Sequence, residues 1–273
     1  MASLREKVLS FLHGHRVRLN TDLGQHFLAD EDVLEAIVET AEIGHEDHIV
    51  EIGPGIGILT GRLLMRAEEV TSIELDARMI TLMKDFLPPE NERAARKFTV
   101  VHENALRVDF PETPYKIVAN IPYHITSPLL RHAYLESTAQ PTTMTLLIQR
   151  EVAEKICDEE HAGILTIMVK LFGDPEMICT VPPEAFIPPP AVESAVLKIT
   201  SHPKPLADRP TIDNILKFLK LSFAGKRKML RNTLGNLENG MESLAKADID
   251  PARRPETLTV TEWIELAERS TTA

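Results

Sequence analysis

The chain has 273 residues, of which 43% are hydrophobic and 26% charged, and its formal net charge is −11. Length and composition describe a soluble globular protein able to bury a sizeable core in one large domain, alone or with a smaller one. They argue against a membrane-spanning helix, because no apolar stretch approaches the roughly 20 residues that such a helix needs.

The N-terminal "MASLREKVLSFLHGHRVRL" carries charges through its apolar part and has no small-residue cleavage site, so no secretory signal is expected. Two cysteines, Cys157 and Cys179, form no metal or redox motif, which fits a reducing cytoplasm. Among the histidines "HEDH" (45–48) has the wrong spacing for zinc, and no metal is expected. Charge is unevenly distributed. Residues 1–20 hold four Lys or Arg against one acid, residues 202–236 hold eight against two, and the rest carries −20. Two local basic faces on an acidic chain are an electrostatic footprint suited to phosphate.

In chain order, "DEDVLEAIVETAEIG" (30–44) puts Val33, Leu34, Ile37, Val38 and Ala41 on one helical face and ends at Gly44. Short β-branched runs follow at 47–52, 69–75, 97–102, 115–120 and 142–149. Helices are predicted at 58–67, 77–87 and 125–136, with 102–115 irregular. This alternation predicts a parallel sheet with helices on both sides. Runs at 175–181 and 194–200 are joined by the proline-rich "VPPEAFIPPPAVE", too short for a crossover helix, and predict an antiparallel pair at one edge. "SHPKPLADRP" then reads as a linker, followed by helices at 211–223, 226–235, 241–247 and 260–269. The domains expected are 1–205, an α/β unit, and 206–273, a small helical one.

"VEIGPGIGILTGRL" (50–63) sits where the first of these strands turns into a helix. Gly53, Gly55 and Gly57 let backbone approach a ligand. A dinucleotide fingerprint would need glycine where Ile58 stands. Pro54 removes an N–H and Glu51 would repel phosphate, whereas a carboxylate there suits a cationic ligand. The next strand ends in "IELD", and Glu74, twenty-one residues after Gly53, can take both hydroxyls of a ribose. Asn104 in "HENAL" falls on the same rim. An adenosine with a positive sulfonium, S-adenosylmethionine, satisfies all of these together.

"NIPYHIT" (120–126) closes the strand at 115–120. The Asn120 side-chain oxygen and the Ile121 carbonyl, held by Pro122, are acceptors for the N–H groups of a planar amine. Tyr123 offers a flat face to a base and to a developing cation. An adenine amine is a poor nucleophile whose proton leaves only after methyl transfer, so it needs orientation and charge stabilisation more than a base. Such a base must leave its helix to reach the pocket.

"LGQHFL", "EIGPGIGILT", "IELD", "ENAL", "NIPYHITSPLL", "FIPPPAVESAVLKI", "FAGKRKMLRNTL" and "DPARRPETLTVTEW" succeed one another over nearly the whole chain. In this the chain resembles the KsgA (RsmA) family of ribosomal RNA adenine dimethyltransferases. The resemblance implies a Rossmann-like class I methyltransferase fold, with a seven-stranded, mostly parallel sheet and a small C-terminal helical domain. It implies transfer of four methyl groups to two adjacent adenosines near the 3′ end of small-subunit rRNA, with the immature small ribosomal subunit as partner and no oligomer implied. Carried over by motif, the cofactor contacts are His26, Leu28, Gly53, Glu74, Asn104 and Asn120, and Asn120 and Tyr123 serve catalysis. His26 stands where the family usually has Asn, and Asn104 where it usually has Asp. Both changes put cofactor affinity in question. In "GKRKMLRNT" (225–233) helical spacing puts Arg227 and Arg231 on one face with Lys228 beside them, an RNA-phosphate side, while Met229 and Leu230 point toward a core. The rival readings are a large-subunit rRNA methylase of the erythromycin-resistance type and a mainly non-catalytic assembly or transcription factor. The C-terminal motifs disfavour the first and the intact NIPY and EIGPG motifs the second.

Overall fold

A computed structural model describes residues 2–20, 24–87, 97–225 and 228–270. By contact the chain groups into two units: Met1–Ala153 with Glu176–Ser201, and Glu154–Pro175 with His202–Ala273.

In the first unit, helix α1 (Leu4–Gly14) starts at Ser3. The Ser3 hydroxyl accepts from the Glu6 N–H, and the Glu6 carboxylate accepts from the Ser3 N–H, a reciprocal cap. Helix α2 (Glu31–Thr40) starts at Asp30, which accepts from the N–H groups of Asp32 and Val33. Its apolar stripe, Leu34, Ile37 and Val38, is buried as its period requires.

Nine strands form among the described residues: β1 (Phe27–Leu28), β2 (His48–Ile52), β3 (Glu69–Glu74), β4 (Phe98–His102), β5 (Lys116–Asn120), β6 (Thr143–Gln149), β7 (Gly173–Val181), β8 (Phe186–Ile187) and β9 (Ser194–Ser201). Seven make one sheet in the order β4-β3-β2-β5-β6-β9-β7, and β1 pairs antiparallel with β8 apart from it. β4, β3, β2, β5 and β6 run parallel, and β9 runs antiparallel to β6. Ile49, Val50, Ile117, Val118, Ala119, Leu146 and Leu147 are buried, the continuous apolar pattern of strands covered on both faces. Helices α3 (Ile58–Leu64), α4 (Ala77–Phe86) and α5 (Thr126–Arg131) follow β2, β3 and β5. Strand order reverses between β2 and β5, so the connections leaving these two strands turn to opposite sides. A crevice opens there beyond the carboxyl ends of the strands.

The helix expected at 125–136 is divided. A 3₁₀ turn at Tyr123–Ile125 leads into α5, and a π-helical turn at His132–Glu136 ends it.

The second unit contains helices α7 (Ile164–Lys170), α8 (Arg209–Phe223), α9 (Gly240–Lys246) and α10 (Val260–Ser270), after α6 (Arg150–Cys157) has led out of the first. Residues 154–175, read from the sequence as part of the first domain, group here. The His202 N–H donates to the Phe172 carbonyl at 2.7 Å and the Leu206 N–H to that of Leu171 at 2.9 Å, which ties the supposed linker to α7. The helix expected at 226–235 does not form over its described part. Leu230–Asn232 and Leu234–Asn236 are separate 3₁₀ turns. The Leu230 and Arg231 N–H groups are taken by the carbonyls of Arg253 and Pro251, the Thr233 hydroxyl bonds the Leu230 carbonyl, and the Asn236 amide bonds that of Asn232. Short polar side chains here compete with the helical ladder and win.

Candidate functional site

The crevice in the first unit is a cleft of about 490 Å³ at the ends of β2, β3, β4 and β5. Its floor is the glycine loop after β2. Gly55 has φ +59°, and a Cβ on it would lie 2.7 Å from the Phe27 ring, so no side chain fits there. The Gly55 N–H donates to Glu74 Oε2 at 3.1 Å, and the Asp76 N–H donates to Glu74 Oε1 at 2.8 Å. Glu74, buried at the end of β3, is thereby aimed by backbone on both sides, and burial raises its pKa.

Glu51 is only 1% exposed. The β2–β3 register pairs it with Ser72, whose hydroxyl donates to Glu51 Oε2 at 2.6 Å while that of Thr60 donates at 2.7 Å. Oε1 is buried and has no hydrogen-bond partner. Burial, outweighing both hydroxyls, pushes the carboxyl from its ordinary 4.5 up to about 7. A cleft-lining carboxylate with one oxygen left bare favours a cation as ligand.

Residues 24–28 form a strap along the cleft. Gly24 packs so closely on Pro122 that a Cβ would meet the Pro122 Cβ at 2.8 Å. Gln25 donates from Nε2 to Asp76 Oδ2 at 3.1 Å and accepts from the Asn20 N–H at 2.8 Å. Arg78 donates from Nε and Nη2 to Asp76, and these bonds hold the Asp76 carboxyl below its ordinary range. Asn120 donates from Nδ2 to the His26 carbonyl at 3.3 Å. With one N–H of the amide placed there, the side-chain oxygen is the acceptor that Asn120 can offer to a ligand's N–H. The His26 ring nitrogen Nδ1 lies 2.7 Å from the Pro188 carbonyl.

His26, Leu28, Gly53, Glu74, Asn104 and Asn120 all line this one cleft. The Asn104 side-chain oxygen accepts from the Leu106 N–H at 3.0 Å, which holds its turn. Tyr123 stands apart from the cleft lining. Its hydroxyl is 2.7 Å from Ser194 Oγ, its ring lies within 12° of parallel to that of His26 at 6.4 Å between centroids, and burial raises its pKa. In the second unit Lys228 and Arg231 are exposed on either side of buried Leu230. Arg227 lies outside the described residues.

Sequence reasoning missed Leu75, which lines the cleft yet is 63% exposed. An apolar side chain open to water beside Glu74 suits the face of a flat ring. Its signal was an apolar residue between two acids in "IELD", read only for the acids. The tether of Gln25 to Asp76 was also missed, because it joins positions 51 residues apart.

A family model described as ribosomal RNA adenine dimethylase matches residues 16–272. Proteins named ribosomal RNA small subunit methyltransferase A are similar over most of the chain. One from Dehalococcoides mccartyi is 35% identical, covering 96% of this chain and 91% of that protein. One from Clostridium botulinum is 39% identical, covering 93% and 94%. Among solved structures, a dimethyladenosine transferase from Plasmodium falciparum superposes with TM-score 0.74 at 27% identity, covering 88% of this chain and 96% of that one. The 23S rRNA methyltransferase ErmE superposes with TM-score 0.71 at 27% identity, covering 89% and 98%.

Proposed function

Because the chain belongs to the ribosomal RNA adenine dimethylase family, we propose that it transfers methyl groups from S-adenosylmethionine to N6 of two adjacent adenosines near the 3′ end of small-subunit rRNA. It is an rRNA adenine dimethyltransferase of ribosome biogenesis, with the immature small subunit as substrate particle and the cytoplasm as its place of action. Among the described residues no helix is long and apolar enough to cross a membrane. The names of the relatives favour the small subunit, while ErmE is a structural neighbour at lower identity.

The cofactor supplies an electrophilic methyl on a sulfonium. The residues present fit it: a bare buried carboxylate oxygen on Glu51 for positive charge, Glu74 for the ribose hydroxyls, Asn104 for the adenine amine, and exposed Leu75 for its ring. His26, Leu28 and Gly53 complete that wall. The target amine is turned by two acceptors, the Asn120 side-chain oxygen and the Ile121 carbonyl, which draw its N–H groups away and leave the lone pair facing the methyl. Tyr123, anchored to Ser194, stacks on the target base and stabilises the cation that forms as the N–C bond is made. Residues 206–273 act as the RNA-substrate domain, with Lys228, Arg231 and Arg227, the last outside the described residues, as the proposed phosphate contacts.

The observation that carries this reading is the fixed Asn120 amide, its NH2 held by His26 and its oxygen left as an acceptor at the wall that bears Glu51 and Glu74. The test is primer extension across the 3′ end of small-subunit rRNA after incubation of undermethylated particles with donor. Stops at two adjacent adenosines are expected. Asn120→Ala should slow them by about two orders of magnitude, roughly 3 kcal/mol of transition-state stabilisation. Near wild-type turnover of that variant at saturating donor would refute the assignment, and stops on large-subunit rRNA alone would transfer the enzyme to the other substrate.

A further inference from the structure

We infer that Gln149 reads the target base, its side-chain amide giving an N–H to N7, the atom that distinguishes adenine from cytosine. The inference rests on the reading of the chain as an adenine methyltransferase and names a contact on the side of the site that faces RNA.

The contacts already placed on that side leave the base half recognised. The Asn120 side-chain oxygen and the Ile121 carbonyl accept from an exocyclic amine, and the Tyr123 ring covers a face. Cytosine carries an amine of the same kind, with a ring nitrogen on one side of it. Adenine differs on the other side, where N7 is an acceptor and cytosine has a C–H. None of the three contacts supplies N7 with a hydrogen. Two are acceptors, and the Tyr123 hydroxyl pairs with Ser194 Oγ at 2.7 Å. A base drawn out of its helix into such a site loses the water on N7 and needs a partner in its place.

Sheet register puts that partner on the page. In the parallel pair β5–β6, Asn120 lies beside Leu147, and in the antiparallel pair β6–β9, Leu147 lies beside Val196 and Gln149 beside Ser194. Residues two apart in a strand share a face, so Asn120, Gln149 and Ser194 all project from the same face of the sheet. Gln149 stands roughly 7 Å beyond the level of Asn120 along the strand direction. At that level the chain after Asn120 has already turned away, through Pro122 into the Tyr123–Ile125 turn. Gln149 and Ser194, directly opposite each other, have their Cβ atoms about 5 Å apart. The amide therefore stands above the acceptor that takes the amine, and beside the anchored end of the ring that covers the base.

Gln149 is half-buried at the end of β6 and stands outside the methyl-donor cleft, as Tyr123 does. Its side chain makes no hydrogen bond among the described residues. The polar groups around it are occupied with one another: Arg150 donates from Nη1 to Glu193 at 2.8 Å, and Ser194 is held by Tyr123. An amide offers N–H groups without charge, which suits the edge of a neutral base.

The experiment is single-turnover methylation of small-subunit particles reconstituted with adenosine, 7-deazaadenosine or 1-deazaadenosine at the two target positions. Wild type is compared with Gln149→Met, which fills the space, and with Gln149→Glu, which keeps the shape and loses the N–H groups. On adenosine both variants should be about tenfold slower than wild type. On 7-deazaadenosine, where a C–H replaces N7, wild type and Gln149→Met should react at equal rates. On 1-deazaadenosine the tenfold gap should remain. Both variants should bind S-adenosylmethionine as wild type does in calorimetry, which also reports that they fold. Four results would each overturn the inference and leave the methyltransferase reading in place: variants as fast as wild type on adenosine, a gap that survives on 7-deazaadenosine, a gap lost on 1-deazaadenosine, or methyl-donor affinity lost in both variants. No methylation of adenosine particles by wild type would overturn that reading as well.

Discussion

Glu51→Gln should make the fold less sensitive to alkali and the cleft a poorer host for a cation. In the folded chain burial holds the Glu51 carboxyl at about 7, against an ordinary 4.5. Below 4.5 the group is neutral whether the chain is folded or not, and it costs nothing. Between these values the unfolded chain ionises and the folded one does not, so stability is lost as pH rises, and above about 7 the loss is complete. At about 1.4 kcal/mol for each pH unit the total is roughly 3 kcal/mol, a large share of a typical domain's stability. Glutamine keeps an oxygen for the Thr60 and Ser72 hydroxyls and has no charge to bury. Urea unfolding of both proteins at pH 5 and pH 8 isolates the effect, because every other titrating group cancels in the comparison. The expected result is a variant that gains roughly 2.5 kcal/mol on wild type between the two pH values, part of the total being lost already by pH 5, and that binds S-adenosylmethionine more weakly at pH 8. A difference in stability that stays flat with pH would mean that Glu51 ionises freely in the fold, and that its bare oxygen is no reservoir of attraction for a ligand.

Glu74→Gln removes a charged acceptor aimed by the Gly55 and Asp76 N–H groups. Donor affinity should fall about tenfold by calorimetry, and unchanged affinity would assign the carboxyl to holding the loop alone. Gly55→Ala combines φ +59° with a Cβ 2.7 Å from the Phe27 ring. It should cost about 2 kcal/mol in thermal or urea unfolding, and a neutral result would show that the ring gives way freely. Replacing Lys228 and Arg231 together by Gln should lower the slope of log affinity against log salt by about 1.5 in filter binding of a small-subunit rRNA fragment. An unaltered slope would move the phosphate contacts elsewhere.

The middle of the sheet was legible because β2, β5 and β6 are buried on both faces and read as short apolar runs rich in β-branched residues, such as "HIVEI" and "KIVAN". β1 and β8 were not, since two residues carry no period. α7 was hidden for a related reason. Its seven residues, "ILTIMVK", are apolar almost all round and show no stripe. The misread helix at 226–235 failed on Thr233 and Asn236, whose side chains bond the Leu230 and Asn232 carbonyls of the backbone that a helix would need. In the cleft, Gly53, Glu74, Asn104 and Asn120 could be brought together on paper because parallel strands end in register at one rim. What surrounds them could not. The pairing of Glu51 with Ser72, and of the Tyr123 hydroxyl with Ser194, 71 residues on, depends on sheet register and long-range packing. Leu75 went unnoticed because exposure is a property of the folded surface.

Strand order in the sheet also governs the birth of the protein. β9 lies between β6 and β7, although β7 is made before it. On the ribosome, β6 emerges with one side unpaired and β7 with no neighbour at all, until about 45 further residues have followed Gln149 and Ser194 arrives. At about 5–20 residues per second that interval lasts on the order of seconds. Through it the nascent chain shows open strand edges of the kind that recruit chaperones or pair with a neighbouring chain. A message cut short before codon 194 would therefore yield a product with every cleft-lining residue in hand and no closed sheet to hold them. Such a product is a substrate for proteolysis.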